Sequence, residues 1–126
     1  LTADALRELL DQSLNGLVLY EPLLDPAGRL IDLRIILLNA VAESDMGRLG
    51  PVALGQTVSR LFEPSVWQSI VARVRPVVET GEPQRMEMEF VLPRHQRPSF
   101  FDVTISRVST GILIAYTDIT PIRQAQ

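Results

Sequence analysis

The segment "ILIAYTDIT" (residues 112–120) combines two structural signals near the end of the chain. Its apolar first part is typical of a buried β-strand. The strand stops at Asp118-Ile119-Thr120, and Pro121 follows. Thr is a good helix N-cap and Pro is favoured in the first helical turn, so a helix is predicted to begin here with Thr120 as its N-cap. The sequence therefore predicts a strand that leads directly into a helix, of which residues 121–126 are the start.

Four more strands are predicted before this one. In residues 83–93 and again in 99–108, apolar side chains alternate with polar or charged ones, which predicts two half-buried strands. Short turns separate these strands and the last one, as in an antiparallel meander. Earlier in the chain, residues 17–24 and 29–39 predict a hairpin around the turn "DPAG", which has Pro second and Gly fourth.

Helices are predicted before and between the strands. Residues 65–80 have one wide apolar face at helical spacing, with Gly81 as the expected C-cap. Residues 2–14 predict a first helix with Thr2 as its N-cap. Its apolar stripe consists of Leu6, Leu9, Leu10 and Leu14. This stripe packs either on its own domain or on a second subunit, and the sequence leaves both readings open.

Composition sets limits on the function. A chain of 126 residues fits one domain. The absence of Cys excludes disulfides, thiolate metal sites, thiol nucleophiles and cysteinyl chromophores. The net charge is −3 and no basic run exceeds two residues, so nucleic acid is not an expected partner. No apolar stretch approaches the ~20 residues that span a bilayer. With no visible signal peptide, a cytoplasmic location and no membrane contact are expected. Because the first residue is Leu rather than Met, the chain is expected to come from a longer protein.

Four segments in order resemble motifs of the PAS domain family. They are "LNAVAE" (38–43), "LGQTVSRLFEP" (54–64), "VVETGEP" (77–83) and "YTDIT" (116–120), which contain the motif residues Asn39, Gly55 and Gly81. The resemblance implies an α+β fold, in which a five-stranded antiparallel sheet carries helices on one face and a flanking helix precedes it. It implies a flanking helix at 1–15, a PAS domain at 16–120 and the start of a connector helix at 121–126. Two departures are the turn "RHQRP", where the family usually has Asp-Gly, and Phe100 or Phe101 in place of the usual Trp.

The resemblance also implies a function. PAS modules in bacterial signalling proteins relay a small-molecule signal or a dimer rearrangement to a C-terminal output domain, such as a histidine kinase or a cyclic-di-nucleotide enzyme. On this reading Asp118 and Thr120 relay the signal, the module forms a homodimer, and the fragment itself is not an enzyme. The haem-binding members often use a His on the long helix, and the photochemical flavin and coumaroyl members need Cys. Neither is present here, so the cofactor stays unassigned, and a small apolar or carboxylate ligand is the expected class.

An apolar interior could hold such a ligand, or simply be packed core. The candidate pocket residues are Phe62, Trp67, Ile70, Val74, Met86, Met88, Phe90, Phe101, Val103 and Tyr116. Met fills irregular space and adapts to ligands. The sequence does not decide which alternating set of strand residues faces the interior.

Catalytic chemistry has few candidates. The one His, His95, lies in a polar turn and is expected at the surface, and Glu87 and Glu89 are expected on a solvated strand face. An alternative to the sensory reading is a small α+β-cone enzyme of the isomerase type, with Asp102 as base and Tyr20 or Tyr116 as oxyanion donor. A second alternative is a dimerisation module without a ligand.

Overall fold

The computed structural model describes residues 2–93 and 97–125. In chain order its elements are α1 (Ala3–Asp11), β1 (Gly16–Leu24), β2 (Leu30–Leu38), α2 (Ala40–Asp45), a 3₁₀ turn (Gly47–Leu49), α3 (Gly50–Ala53), α4 (Val58–Leu61), α5 (Pro64–Thr80), β3 (Gln84–Phe90), β4 (Ser99–Val108), β5 (Gly111–Asp118) and α6 (Thr120–Ala125). Each predicted strand is present, and the long predicted helix corresponds to α5.

The five strands form one antiparallel sheet in the order β2-β1-β5-β4-β3. The first and last strands of the chain are therefore neighbours at the centre of the sheet. The β1–β2 hairpin closes as predicted, because the Asp25 carboxylate accepts hydrogen bonds from the backbone N–H of Ala27 and Arg29, each at 2.9 Å. Gly28 has a φ of 85°, which an L side chain rarely adopts. The predicted α+β fold with a five-stranded sheet is confirmed.

The inner face of the sheet packs against the helices that connect β2 to β3. Buried residues from this face are Val18, Tyr20, Leu33, Ile35, Phe101, Val103, Ile105 and Ile112. Helix α5 contributes Val71, Val74 and Val77, which recur at the helical spacing of three residues and are almost fully buried. Gly81 ends this helix in the left-handed conformation with a φ of 74°, which confirms the predicted C-cap.

Helix α1 begins as predicted but ends early. The Thr2 hydroxyl accepts a hydrogen bond from Ala5 N at 3.0 Å, which makes Thr2 the N-cap. The helix stops at Asp11, so Leu14 lies beyond it with a side chain that is 95% exposed. Leu6 and Leu9 are 37% and 58% exposed. The expectation that the stripe includes Leu14 is wrong, and none of the α1 side chains is fully buried, although Leu10 is half-buried.

One buried amide joins the beginning of the sheet to two helices. Asn39 Oδ1 accepts hydrogen bonds from Leu17 N and Ala42 N, both at 3.0 Å, and so caps α2. Asn39 Nδ2 donates to the carbonyl oxygens of Leu10 and Asn15 at 3.1 and 2.8 Å. Asn39 has no exposed surface, and its side chain uses both acceptor sites and both donors. This residue therefore fixes α1, β1 and α2 relative to one another.

Gly55, the second motif glycine, turns the chain back onto β2. Its φ is 85°, its N–H donates to the Ile35 carbonyl at 2.7 Å, and its carbonyl accepts from Arg34 Nη1 at 2.8 Å. Within residues 2–93 and 97–125, no helix is long and apolar enough to cross a membrane.

Candidate functional site

A cavity of about 120 Å³ lies between the inner face of the sheet and the helices. It is bounded by α5 through Ile70 and Arg73, and by the short helix α2 through Ala42 and Asp45. The remaining lining residues are Val18, Tyr20, Met46, Phe62, Met88, Phe90, Leu92, Pro93, Phe101, Val103, Ile105, Ile114 and Tyr116. Almost all of this wall is apolar, so polar groups in it determine how an occupant would be oriented.

Seven of the ten predicted pocket residues line this cavity: Phe62, Ile70, Met88, Phe90, Phe101, Val103 and Tyr116. The other three lie elsewhere. Val74 is fully buried in the core, and Trp67 is half-buried at the edge of the core. Met86 is also half-buried, and its Sδ accepts from Arg73 Nη1 at 3.4 Å. Seven predicted residues therefore lie on the cavity wall and three do not, and the binding of a ligand by this cavity stays a prediction.

Four of the ten lining residues that were missed come from β1 and α2. Val18 and Tyr20 alternate along β1, but their face could not be assigned without knowing the partner strand. Asp45 belongs to a helix of six residues, which is too short for an apolar periodicity to reveal its buried face. No sequence signal distinguished Asp45 from an ordinary surface carboxylate.

Asp45 and Tyr116 form a polar pair in the cavity wall. The Tyr116 hydroxyl donates a hydrogen bond to Asp45 Oδ2 at 2.8 Å. The Tyr116 ring lies directly over Gly16, its partner across the β1–β5 pair, and a Cβ on Gly16 would approach the ring to 2.0 Å. Gly16 is therefore needed for the ring to reach Asp45.

Tyr20 supplies a second hydroxyl to the cavity wall. The side chain is buried, and burial raises the pKa of its hydroxyl well above the ordinary value. None of the hydrogen bonds found in the described part of the chain involves this hydroxyl. Tyr20 thus adds a buried polar group to a cavity wall that is otherwise almost entirely apolar.

Aromatic rings form much of the remaining wall. Phe62 and Phe90 make an edge-to-face pair with centroids 6.2 Å apart, and Phe101 and Tyr116 make another at 5.5 Å. Such arrangements are the favourable ones for aromatic side chains. The wall therefore offers both ring faces and ring edges to the interior.

The structure does not bring the residues of the isomerase-type alternative together. Asp102 lies between Phe101 and Val103 on β4, so its side chain points to the outer face, away from the cavity that contains Tyr20 and Tyr116. Arg85 donates to Asp102 from Nε at 3.0 Å and from Nη2 at 2.5 Å. The hydrogen bonds from Arg85 lower the pKa of Asp102, the opposite of what a general base working near neutral pH needs.

The other polar candidates also lie outside the cavity. Glu87 and Glu89 are exposed on β3, as predicted for a solvated face. His95 lies outside the described residues. Among residues 2–93 and 97–125, no group of three or more His, Cys, Asp or Glu side chains is placed to hold a metal ion.

Two hydrogen bonds to the backbone of Phe100 in β4 join the end of β5 to that strand. The Phe100 N–H donates to Thr120 Oγ1 at 2.9 Å, and the Phe100 carbonyl accepts from Ile119 N at 2.8 Å. Asp118 Oδ1 accepts from Thr120 N at 2.9 Å. Helix α6 already includes Thr120, so the prediction that Thr120 is the N-cap is wrong. Its hydroxyl is turned to β4 because the open end of that strand supplies an N–H there.

Arg123 gives α6 a further contact with the sheet that the sequence did not reveal. Its Nη1 lies 2.9 Å from Glu87 Oε2, and its guanidinium carbon is 4.4 Å from the centre of the Phe100 ring. The first turn of α6 is therefore held against the outer face of β3 and β4. Both contacts join residues far apart in the sequence, so no local pattern could indicate them.

Comparison with known proteins identifies the fold family. The family model described as "PAS fold" matches residues 30–124. Similar solved structures include the Rhodobacter sphaeroides LOV protein, at 16% identity and a TM-score of 0.65 over 92% of this chain and 66% of that one.

Two further similar structures are PAS domains. One is from Bordetella pertussis BvgS (20% identity, TM-score 0.60, 97% of this chain and 85% of that chain). The other is from a Colwellia psychrerythraea protein (21% identity, TM-score 0.59, 94% and 97%). The chain spans about two thirds of the LOV protein's length. No curated protein matches the chain. At these identities the structures show a shared fold, and the family match covers most of the sequence. The chain belongs to the PAS fold family.

Proposed function

We propose that this chain is a sensory and regulatory module that couples the state of its inner cavity to the position of its C-terminal helix. Membership of the PAS family supports a role as a sensory signalling module. The observation that carries the proposal is that β3 and β4 line the cavity with one face and hold α6 with the other.

Neighbouring residues provide the coupling. Met88 and Phe101 line the cavity, whereas Glu87 and Phe100, each one residue earlier, contact Arg123 of α6. Successive side chains of a strand point to opposite faces, so a shift of either strand moves both members of each pair. An occupant that fits one arrangement of these strands better than another would therefore change how firmly α6 is held.

The connection at the end of β5 supplies the second part of the proposed relay. Asp118 and Thr120 are assigned the relay role, because their hydrogen bonds fix the angle at which the chain leaves the sheet. In this proposal the helix continues into a covalently linked output domain, of the sensor histidine kinase or cyclic-di-nucleotide enzyme type, in the bacterial cytoplasm. In this proposal the module changes the relative populations of two states of the output domain, and it catalyses no reaction itself.

The exposed leucines of α1 favour a homodimer. Leu6 and Leu9 leave much of their apolar surface to solvent, and Leu17 and Leu19 on the outer face of β1 are only half-buried. Burying such surface against a two-fold related copy is the common way for a small domain to remove it from water. The same surface supports the second candidate function, a dimerisation module that signals by rearrangement without a ligand.

Filling the cavity by mutation tests the coupling without knowledge of the ligand. The substitution Val103→Phe adds volume on the cavity side of β4, and Thr104→Val is a matched control on the outer face of the same strand. We expect faster hydrogen exchange of the backbone amides of residues 119–125 in Val103→Phe than in the control, measured by mass spectrometry. Denaturant unfolding of both variants separates this local effect from a loss of global stability. Unchanged exchange in α6, with the fold retained, would contradict the coupling.

A further inference from the structure

The two edges of the sheet differ in how far they are covered. At the β2 edge, the segment 55–57 lies across the strand. There the Ile35 N–H donates to the Gln56 carbonyl at 2.9 Å, and the Gly55 N–H donates to the Ile35 carbonyl at 2.7 Å. At the opposite edge, β3 pairs with β4 and with no other strand of the described residues. An uncovered edge strand presents backbone donors and acceptors that can pair with another chain.

The hydrogen bonds of Phe100 show in which direction the backbone groups of β4 point. The Phe100 N–H and carbonyl both bind residues 119–120, which follow directly after β5. Bonding directions alternate along an antiparallel pair, so the backbone groups of Phe101 and of every second residue after it point to β3 instead. The β3 residues opposite these positions, and therefore bonded to β4, are Met88, Met86 and Gln84.

The three charged residues of β3 consequently have their backbone groups at the open edge. These residues are Arg85, Glu87 and Glu89, and all three are exposed. In residues 2–93 and 97–125, no loop, helix or side chain is found to hydrogen-bond to their N–H or carbonyl groups. The β3 edge thus offers three donors and three acceptors at alternate positions.

The sequence of β3 is complementary to itself when two copies run antiparallel. The strand Gln84–Phe90 is centred on Glu87. Pairing Glu87 with its own copy sets Arg85 opposite Glu89 twice, and opposite charges at facing positions of a sheet attract. A shift by two residues in one direction sets Glu87 against Glu89, which is repulsive. A shift in the other direction sets Glu89 against Pro83, which has no N–H to donate. Charge and backbone bonding therefore favour the register in which the whole strand is paired.

The inner side of such a pair is apolar. Met86 of one copy lies opposite Met88 of the other, on the face that each sheet turns to its helices. Beside this face, a groove of about 390 Å³ runs between β3 and α5, and its wall includes Met88, Val66 and Ile70. The methionines of a second copy would add apolar contacts next to this groove, so both faces of the paired strands have complementary chemistry.

We propose that two copies of this chain join through their β3 edges, antiparallel and centred on Glu87, to form one sheet with five strands from each copy. The contact is two-fold symmetric, so each copy uses the same surface. The two Glu87 side chains meet at the centre, but each carboxylate is bound at 2.9 Å by Arg123 of its own chain. The surface is separate from α1, whose leucines support the homodimer of the proposed function, and it involves no occupant of the cavity.

Exchanging the charges tests the register, with sedimentation velocity of the intact chain over a range of concentrations. Arg85→Glu and Glu89→Arg should each weaken dimerisation about tenfold or more, because two attractive pairs in each dimer become repulsive. An equimolar mixture of the two variants has opposite charges in both pairs and should associate as wild type does. Recovery in the mixture also excludes misfolding of either variant. Glu21→Arg, exposed on β1, makes the same change of charge away from β3 and should leave association unchanged.

Hydrogen exchange measured by NMR tests the backbone part of the contact. The N–H groups of Arg85, Glu87 and Glu89 should exchange more slowly as the protein concentration rises, because they become bonded only in the dimer. The N–H groups of Met86 and Met88 are bonded to β4 in a single copy, and they serve as internal controls that should change much less.

The outcomes distinguish this interface from the proposed function. Association that is weakened by Leu9→Glu but not by Arg85→Glu or Glu89→Arg would overturn the β3 contact and leave the α1 dimer. Association that both charge variants lose and their mixture does not regain would overturn the register. A chain that stays monomeric at every concentration would overturn the pairing of two copies. The coupling of the cavity to α6 would stand in each case, since Val103→Phe tests it separately.

Discussion

Replacing Asn39 by Asp exchanges one nitrogen atom for an oxygen and tests how α1 is held. The two side chains have the same shape, and the oxygen that accepts from Leu17 N and Ala42 N stays in place. The second oxygen replaces the amide nitrogen that donates to the carbonyls of Leu10 and Asn15 at 3.1 and 2.8 Å. An attraction between donor and acceptor thus becomes a repulsion between acceptors in a fully buried position.

The expected loss follows from the bonds that are removed. Leaving a buried acceptor without its partner costs about 1 to 3 kcal/mol, so two such losses destabilise the fold by about 2 to 4 kcal/mol when solvent partly reaches the freed carbonyls. For a domain of this size, about 1 kcal/mol corresponds to roughly 4 °C in Tm, which predicts a decrease of about 8 to 16 °C. Denaturant unfolding gives the free energy, and thermal unfolding followed by circular dichroism gives Tm.

The loss of stability in Asn39→Asp should depend on pH and become smaller in acid. Burial and the two facing carbonyls favour the protonated form, so the carboxyl introduced at position 39 has a folded-state pKa above that of an exposed Asp. A raised pKa means that the folded state binds the extra proton, so the variant regains stability relative to wild type as the pH falls through that pKa. Protonation also restores one donor to the site.

Asn15→Asp is the matched control for this experiment. Asn15 is exposed, and its Oδ1 accepts from Thr117 Oγ1 at 2.8 Å, a bond that Asp can also accept. It adds the same charge nearby and should change stability by less than about 0.5 kcal/mol. The reasoning is refuted if Asn39→Asp is no more destabilising than this control, or if the difference from wild type does not narrow in acid.

Two further substitutions test the polar pair in the cavity and the outer face of the sheet. Gly16→Ala places a methyl group 2.0 Å from the Tyr116 ring, so the ring must move and lose its bond to Asp45. We expect a loss of about 1 to 3 kcal/mol in chemical unfolding, with Tyr116 shifted in NMR spectra, whereas an unmoved ring would contradict the close approach. Arg85→Gln should raise the pKa of Asp102 towards its ordinary value, because Arg85 now lowers it. The effect of the pair on stability is present above the ordinary carboxyl pKa and disappears as pH falls through the lowered one. If NMR titration gives the same pKa for the Asp102 carboxyl in wild type and in Arg85→Gln, the predicted increase is contradicted.

The sequence predicted those parts of the fold in which one face of an element is charged or polar. In β3, Arg85 and Glu87 alternate with the methionines, so the strand and its period were evident. Helix α5 was equally clear, since its valines recur on one side and Gly81 provides a recognisable stop. Alternation of polar and apolar residues along a strand and capping at a helix end both involve residues that are close together in the sequence. The sequence alone can therefore reveal them.

The candidate site was predicted only in part, because its decisive contacts are not local. Tyr116 and Asp45 are far apart in the chain and meet only after β5 pairs with β1. The lack of a side chain at Gly16 makes room for the Tyr116 ring, a contact that depends on the pairing of two distant strands. The inner face of β1 depends on its register with two neighbours, and nothing in β1 alone determines that register.

Helix α6 is suited to respond to small energy differences, because little holds it in place. It has six residues, none of them buried, and a helix this short is not stable alone in water. Its contacts with the sheet converge on Phe100, whose N–H, carbonyl and ring are all engaged by residues 119–123. Exposed contacts of this kind each contribute about 0 to 1 kcal/mol. A ligand that displaces the adjacent Phe101 needs only about 1.4 kcal/mol of preference between two arrangements of β4 to change the population of docked α6 about tenfold. Under the proposed function, deeper burial of α6 would make the same ligand energy insufficient to change the population of docked α6.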